Sequence, residues 1–552
     1  MHIVENESPS KGSKKIYRSV LLRESYRENG KVKKRTIANL SHCSSEEIAA
    51  IKLALRHKGD LTVLGSIKEC VELHEGLSMG AVWMLYQVGR ELGLEKVLGT
   101  GFEGRLAFWQ VMARVIDQGS RLSAVRLAQV HGVCDVLGMK RGFDENDLYE
   151  NLEWLSDHQG EIERGLFLVR RGGKAGGFFL YDVTSSYLEG EKNYFGAYGY
   201  SRDGKRGKQQ IVIGLLCDEE GDPVGVEVFS GNTVDWRTFG LQVRKVAEGF
   251  GCREVTWVGD RGMIKRAQVE QLPEGFHYIT AITKPQIEKL VREGVFQMEL
   301  FEEGLGEVEE GGVRYILRRN PVRAEEVRKG RLSKRREMEG WVERKNGYLR
   351  EHPKADVEGA LAKGRGKLEG LRVGRWLKLK AEGRSLKLEE EEEALKEESL
   401  LDGCYVIKTD LSRGVADKER IHERYKDLAE VERGFRDCKT GLLEVRPVYV
   451  RTEKSTRGHV LVVMLAYLMV RRLRKAWAAL DMTVEEGIHQ LSTLCSMEVR
   501  IKGQSSHIQI PSPREKSQEL LKALGIQMPA ALPHREVRVV TRKKLPEQRR
   551  MP

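Results

Sequence analysis

The sequence predicts an α/β fold, and three observations carry that reading. Residues 173–287 read as apolar strands with one helix among them. Residues 288–398 turn charged and glycine-punctuated, and residues 399–480 resume strand and helix text that ends in an apolar run. A pattern that stops and resumes describes one domain with an insertion inside it, not a domain followed by a tail.

The elements follow in order. IYRSVLLRESYRENGKVKKRTIANL, residues 16–40, alternates on both sides of Asn29-Gly30, a dipeptide suited to a two-residue hairpin turn. Ser44-Ser45-Glu46-Glu47 then opens a short helix over 48–56. Helical periodicity dominates residues 76–170, clearest in LSMGAVWMLYQVGRELGL, GRLAFWQVMARVI and ENDLYENLEWLSDHQGEIERGLFLV. Strands take over in FFLYDV, QQIVIGLLCD, PVGVEVFSG, EVTWVGD and HYITAITK, with the helix VDWRTFGLQVRKVAEGF between the third and fourth. Three strands, a helix and a further strand open a ribonuclease H-like sheet, a text that other α+β folds share. In the charged stretch, GRWLKLKAEGRSLKLEEE reads as a strand pair and the segment before it as solvated helix. GCYVIKTDL and the long helix ERIHERYKDLAEVERGFRDCK return to the interrupted domain. The expected organisation is a hairpin plus helix over 1–65, a helical domain over 66–172 and a ribonuclease H-like domain over 173–287 and 399–480. An α/β insertion fills 288–398, and a helical region with a basic tail fills 481–552.

Composition narrows the function classes. The longest apolar run, 460–470, falls short of a bilayer and is followed at once by Arg471, Arg472 and Arg474, so it reads as a core helix. MHIVENESPSKGSKK has no apolar stretch of the kind a secretory signal needs, and a soluble cytoplasmic protein is expected. The eight cysteines are scattered without a CxxC pair, which argues against a zinc cluster or a disulfide framework. Net charge is +12, and the positive charge gathers at the two ends. Residues 1–60 carry 13 Lys/Arg against 7 Asp/Glu, and residues 535–552 carry 7 against 2. A polyanionic partner, DNA above all, fits that distribution.

Three acidic residues stand out. Asp182 ends the apolar strand text FFLYDV and Asp260 ends EVTWVGD, so both are expected at strand ends on one sheet edge. Such oxygen ligands suit Mg²⁺ or Mn²⁺, although each aspartate alone reads equally well as a strand-to-loop turn residue. Tyr425, Glu432 and Lys439 are spaced seven and seven, which places them along one face of a continuous helix, with Arg436 one turn beyond Glu432. That face suits a metal ligand flanked by phosphate contacts, and it equally suits a solvated helix with Glu-to-Arg pairing. Trp236, at a helix start, fits stacking on a base, or a core or hydrophobic-staple role, with Asp235 beside it as a helix-start residue. His459 fits either a phosphate contact or a local hydrogen bond, and the run 389–393 reads as solvated helix surface. Arg27, Lys33, Lys34 and Arg35, with Lys31, make the hairpin a candidate DNA contact or a lysine-guarded edge, and the basic tail 538–550 carries the same two readings.

In combination, YDVTSSYLEG, VGDRGM and the Y-x6-E-x6-K helix resemble the DDE transposases of bacterial insertion sequences. Within that family they are similar to the group with a Y-x2-R-x3-E-x6-K signature and a strand-containing insertion before the glutamate. The strand text of 199–233, the segment 446–469 and the hairpin fit the same group, so the resemblance spans most of 17–480. It implies a ribonuclease H-like catalytic core, an N-terminal DNA-binding region, and Asp182, Asp260 and Glu432 as ligands of two Mg²⁺ or Mn²⁺ ions. It further implies a homodimer on transposon-end inverted repeats, cutting them and joining them to target DNA. One departure stands: Leu428 occupies the signature arginine position, leaving Arg424, Arg433 or Arg436 to supply that charge. The rivals are a compact ribonuclease H-like nuclease that cuts without joining, and an inactive DNA-binding regulator. A recombinase using Ser185, Ser186 or Tyr187 as nucleophile lacks its accompanying basic pattern.

Overall fold

The computed structural model describes residues 1–9, 16–59, 71–171, 176–302, 304–439, 441–446, 450–501 and 506–542, so most of the basic tail lies outside the described residues. The chain forms two compact units. One comprises Met1–Met84, Gln129–Lys140 and Gly487–Val537, and the other Leu85–Ala128, Arg141–Glu486 and Arg538–Pro552.

The first unit begins with an antiparallel sheet of β1 (His2–Pro9), β2 (Ile16–Glu28) and β3 (Lys31–Asn39). Asn29 and Gly30 both take positive φ, 49° and 78°, the pair of left-handed residues a tight hairpin turn requires. The helix Ser45–Arg56 follows, started by Ser44 and Glu47, whose side chains each satisfy the other's backbone N–H. β4 (Val71–Ser78) is the first departure from the sequence reading, since it forms a strand where helical text was expected to begin. Its partners lie more than 400 residues away and are described below.

The second unit is built on one mixed sheet. β5 (Gly176–Tyr187), β6 (Gln210–Cys217) and β7 (Pro223–Ser230) form an antiparallel meander. The helix Asp235–Arg244 and a π-turn, Lys245–Gly249, carry the chain across to β8 (Glu254–Gly259), which pairs parallel to β5. β9 (Phe276–Ala281) pairs parallel to β8. This is the ribonuclease H-like order expected from the sequence. Phe179, Tyr181, Phe239 and Trp257, all about fully buried, pack this helix onto the sheet, each contributing roughly 1.5–3 kcal/mol by burial.

The insertion does two things. β10 (Gly306–Glu310) and β11 (Val313–Arg319) join the main sheet as an antiparallel pair. The helices Pro321–Glu351 and Val357–Leu371 pack with the hairpin β12 (Leu377–Glu382) and β13 (Ser385–Glu390) around a separate core that includes Met338, Leu361, Trp376 and Leu379. β14 (Cys404–Thr409) then enters between β11 and β9, giving the order β10-β11-β14-β9-β8-β5-β6-β7. The acidic run 389–393 is not one helix face: Glu389 and Glu390 end β13, and only Glu392 onward is helical. Lys380 pairs with Glu389 at 2.7 Å across the hairpin, which holds that end of the run in strand geometry.

The apolar run becomes the buried centre of the helix Glu453–Ala476, which packs on β7 and on the helices Phe102–Ile116 and Glu145–Asp157. Among the described residues no helix is long and apolar enough to cross a membrane. The region after residue 481, expected to be helical, also supplies β15 (Cys495–Ile501) and β16 (His507–Gln509), and β15 pairs with β4 to close a small sheet in the first unit.

At the tightest helix crossing, a Cβ added to Gly458 would sit 1.9 Å from the Leu152 carbonyl oxygen. Gly-to-Ala inside a helix is ordinarily stabilising, so the sign of this substitution reports the crossing. Gly458→Ala is expected to destabilise by about 1–3 kcal/mol, read as a lower urea midpoint with an unchanged slope.

Candidate active site

The parallel ladder between β5 and β8 fixes the first two acids. Its last pair is Tyr181 with Gly259, so Asp182 and Asp260 occupy the next position on neighbouring strands, whose backbones run about 4.8 Å apart. Asp260 lies just past the end of β8, where Met263 N–H turns back to its carbonyl at 2.9 Å. Asp182 does not end its strand as expected. β5 continues to Tyr187 along β6, because Val-Thr-Ser-Ser-Tyr is itself strand-compatible, and Asp182 pairs with Leu215 in that ladder. It marks the point where the parallel ladder stops and the antiparallel one goes on, so its backbone is held on one side only.

The third acid arrives on two helices, not one. Lys418–Lys426 and Leu428–Lys439 meet at Asp427, whose carboxylate takes the Arg424 guanidinium at 3.0 Å. The break interrupts the continuous face inferred from the seven-residue spacing, yet both ends of the pair reach the sheet. Tyr425 Oη stands 3.5 Å from an Asp260 carboxylate oxygen, a long contact. Lys439 Nζ donates to Thr184 Oγ1 at 3.0 Å and pairs with Asp203 at 2.5 Å. Glu432 lies between them, exposed, while Val431, Phe435 and Cys438 bury the other side of the helix.

The electrostatics register the convergence. Burial above all, and then the Asp260 and Glu432 charges, push the Asp182 carboxyl up to about 7, against the opposing pull of the Val183 N–H and of Arg202. Burial and the same two acids also push the Tyr425 hydroxyl up, while Arg261 pulls it down. Among the described residues no three acidic, histidine or cysteine side chains stand close enough to one another to hold a metal ion. The donor set is nonetheless of the right chemistry for a hard divalent cation: carboxylate oxygens, one of them half-buried beside two others.

The remaining candidates divide. Arg424 is paired with Asp427 and lies 4.9 Å from the Phe178 ring. Arg433 and Arg436 are exposed on the Glu432 helix, Arg433 with Glu430 at 2.9 Å. Trp236 is about one-third exposed, with Arg237 and Lys265 at 5.2 and 5.7 Å from its ring centre. His459 is buried with Nε2 3.1 Å from the Val445 carbonyl, the local hydrogen bond of its two readings. In the hairpin, Lys33 and Arg35 pair with Glu28 and Glu24, each at 2.6 Å, on the face that also carries Lys31. Arg27 and Lys34 lie on the opposite face, where strand alternation puts no carboxylate across from them.

Two cations escaped the sequence reading. Arg202 links Asp235 at 2.5 Å to the Asp182 strand, where its N–H donates to Ser185 Oγ at 2.8 Å. Arg261 follows Asp260 directly. The glycine-rich SRDGKRGK text and the Gly-Asp-Arg-Gly turn were their only signals.

Comparison with protein families now carries weight. The transposase DDE domain matches residues 174–469, more than half of the chain. The chain belongs to the DDE transposases. The N-terminal domain of IS1634 family transposases matches residues 6–62, the hairpin and its helix. A comparison with curated proteins finds no match to the chain. Membership makes the transposase a DNA-cleaving and strand-transferring enzyme of an insertion sequence, dependent on a divalent metal as DDE domains are in general.

The raised Asp182 carboxyl has a thermodynamic consequence. The folded transposase holds this proton more tightly than the unfolded chain, so the group favours folding below about pH 4 and loses that contribution as pH rises through about 7. In metal-free buffer at pH 8, Asp182→Asn is expected to be more stable than the unsubstituted protein, by at most about 4 kcal/mol. Melting across pH 4–8 should show the gain shrinking toward acid, and a gain independent of pH would contradict the assignment of its cause.

Proposed function

We propose that Asp182, Asp260 and Glu432 form the catalytic triad of this transposase and hold two Mg²⁺ or Mn²⁺ ions. The observation that carries the reading is the register of β5 and β8, which sets two carboxylates at one sheet position beneath a helix bearing a third. Ions so held would stabilise the entering and leaving oxygens of an in-line displacement at phosphorus. Asp182 is the fixed member, anchored within the β5–β6 ladder. Asp260 lies past the end of both ladders of β8, and exposed Glu432 closes the set by rotation about its side-chain bonds. Because these groups leave the chemistry to a hydroxyl of water or DNA, Ser185, Ser186 and Tyr187 need no nucleophilic role.

The cations around the triad are assigned to phosphates. Tyr425, Lys439 and Arg436 flank Glu432, with Arg433 and Arg261 supplying the charge that Leu428 does not, and the chain thus joins the group with the Y-R-E-K signature in modified form. Trp236, between its two cations, stacks on a base. The hairpin binds the terminal inverted repeats, with Arg27 and Lys34 leading and Lys33 and Arg35 partly neutralised by Glu28 and Glu24. The acting species is a homodimer on DNA.

Glu432→Gln is expected to lower Mg²⁺-dependent cleavage of a transposon-end duplex by 10²-fold or more, on the order of 3 kcal/mol of transition-state stabilisation, while leaving duplex binding unchanged. Joining of a pre-cut end to target DNA should fall in parallel, and retention of either activity would remove Glu432 from the triad. For the hairpin, the double substitution Arg27→Gln with Lys34→Gln is expected to flatten the dependence of log affinity on log salt by about 1.8, and Lys33→Gln by less than 0.9. An unchanged slope would place DNA elsewhere.

A further inference from the structure

A second polar feature lies in the helical layer of the same unit. A cavity of about 130 Å³ opens between the end of the helix Phe102–Ile116, the start of the helix Arg121–Val130 and the approach to the helix Glu453–Ala476. Arg114, Arg121, Arg446, His459, Tyr149 and Glu444 are on its wall. Arg114 and Arg121 are only 3% and 4% exposed, yet among the described residues neither forms an ion pair with a carboxylate. Arg114 Nη1 donates to the Gln118 carbonyl at 2.5 Å, and Arg121 Nη1 donates to the Gln110 side-chain oxygen. The Nε of Arg114 has no hydrogen-bond partner at all. Glu444, the one acid on the wall, is engaged by Arg446.

Such an arrangement is costly as it stands. A buried guanidinium with no carboxylate in direct pairing forfeits several kcal/mol of hydration, a cost that an anion entering the cavity would offset. Burial lowers Arg114 to about 10, against the opposing charges of Asp117 and Glu444, and Arg121 to about 9, which leaves both cationic at neutral pH. Ser120, also on the wall, precedes the ten-residue helix Arg121–Val130 and accepts from Ser123 N–H at 3.2 Å. Arg446 reaches outward to the Tyr187 hydroxyl, and Tyr187 N–H donates to Asp203, the partner of Lys439.

We infer that this cavity is a binding site for a tetrahedral phosphate group, completed by Arg114, Arg121 and Arg446, and filled by a backbone phosphate of bound DNA or by free inorganic phosphate. The inference does not depend on the assignment of the carboxylate triad. In the full-length protein, inorganic phosphate is expected to raise the melting temperature above that in chloride at equal ionic strength. Arg114→Met, which keeps side-chain bulk and removes the charge, should melt at least as high as the unsubstituted protein in chloride and lose the phosphate-dependent rise. Glu432→Gln should keep the rise, which separates this site from the triad. The source of the phosphate is read from the salt dependence of duplex binding. If DNA supplies it, Arg114→Met flattens the slope of log affinity on log salt by about 0.9, and if free phosphate does, the slope stays unchanged. An equal phosphate response in both proteins overturns the site, as does no rise in either together with an unchanged slope. Should Arg114→Met not fold, Arg446→Gln at the outer wall replaces it, with a diminished phosphate rise or a flatter slope expected and an unaltered response in both overturning the site.

Discussion

Three carboxylates cannot share one corner of a fold without something to offset their mutual repulsion, and the transposase is organised around that constraint. The β5–β8 ladder commits Asp182 and Asp260 to adjacent positions whatever their charge. Burial then makes ionisation of Asp182 unfavourable, so the sheet carries a destabilising element at its centre. Around it the chain places Arg202, Arg261 and Lys439, each reaching the acids or the strands that carry them. The hydrophobic packing of Trp257, Phe179 and Phe239 beneath the strands supplies the stability that lets this corner persist.

What could be read from the sequence was local or periodic. Asn29-Gly30 announces its turn because only residues tolerant of positive φ fit there, and Ser44 with Glu47 announces a helix start because each satisfies a backbone donor of the other. The central strands carry apolar runs, and β6 has no exposed residue, so they stood out as buried strands. Asp182 and Asp260 were legible because each follows such a run. The pairing of β4 with β15 was not, since neither strand is apolar enough to mark itself and each needs a partner from the far end of the chain. Nor was the break at Asp427, where no glycine or proline interrupts the helical text. Arg202 was hidden because its partners, Asp235 and Ser185, are brought to it only by the fold. Arg114 and Arg121 were hidden for a further reason: their significance lies in the carboxylate they fail to pair with, and a sequence does not show missing partners.

The insertion is usefully seen as two pieces of different status. β10, β11 and β14 are hydrogen-bonded into the main sheet, while the two long helices and the β12–β13 hairpin enclose their own core. A separate core permits the loop between β11 and β14 to be long without leaving apolar surface uncovered, because the entropy of closing it is offset within the inserted piece itself. The helices that carry Tyr425 and Glu432 therefore follow a strand, β14, that is held between β11 and β9.

That arrangement bears on how the chain is made. β9 pairs with β14, and well over a hundred residues separate Ala281 from its partner Ile407. At ribosomal speeds of about 5–20 residues per second, the outer edge of β9 stays open for on the order of ten seconds after it is synthesised. An apolar strand with unpaired N–H and C=O groups invites pairing with another nascent chain. The residues of the self-contained core around Met338 and Trp376 are all synthesised within that interval, ahead of β14. The birth of the enzyme, and not only its chemistry, thus turns on when β14 arrives.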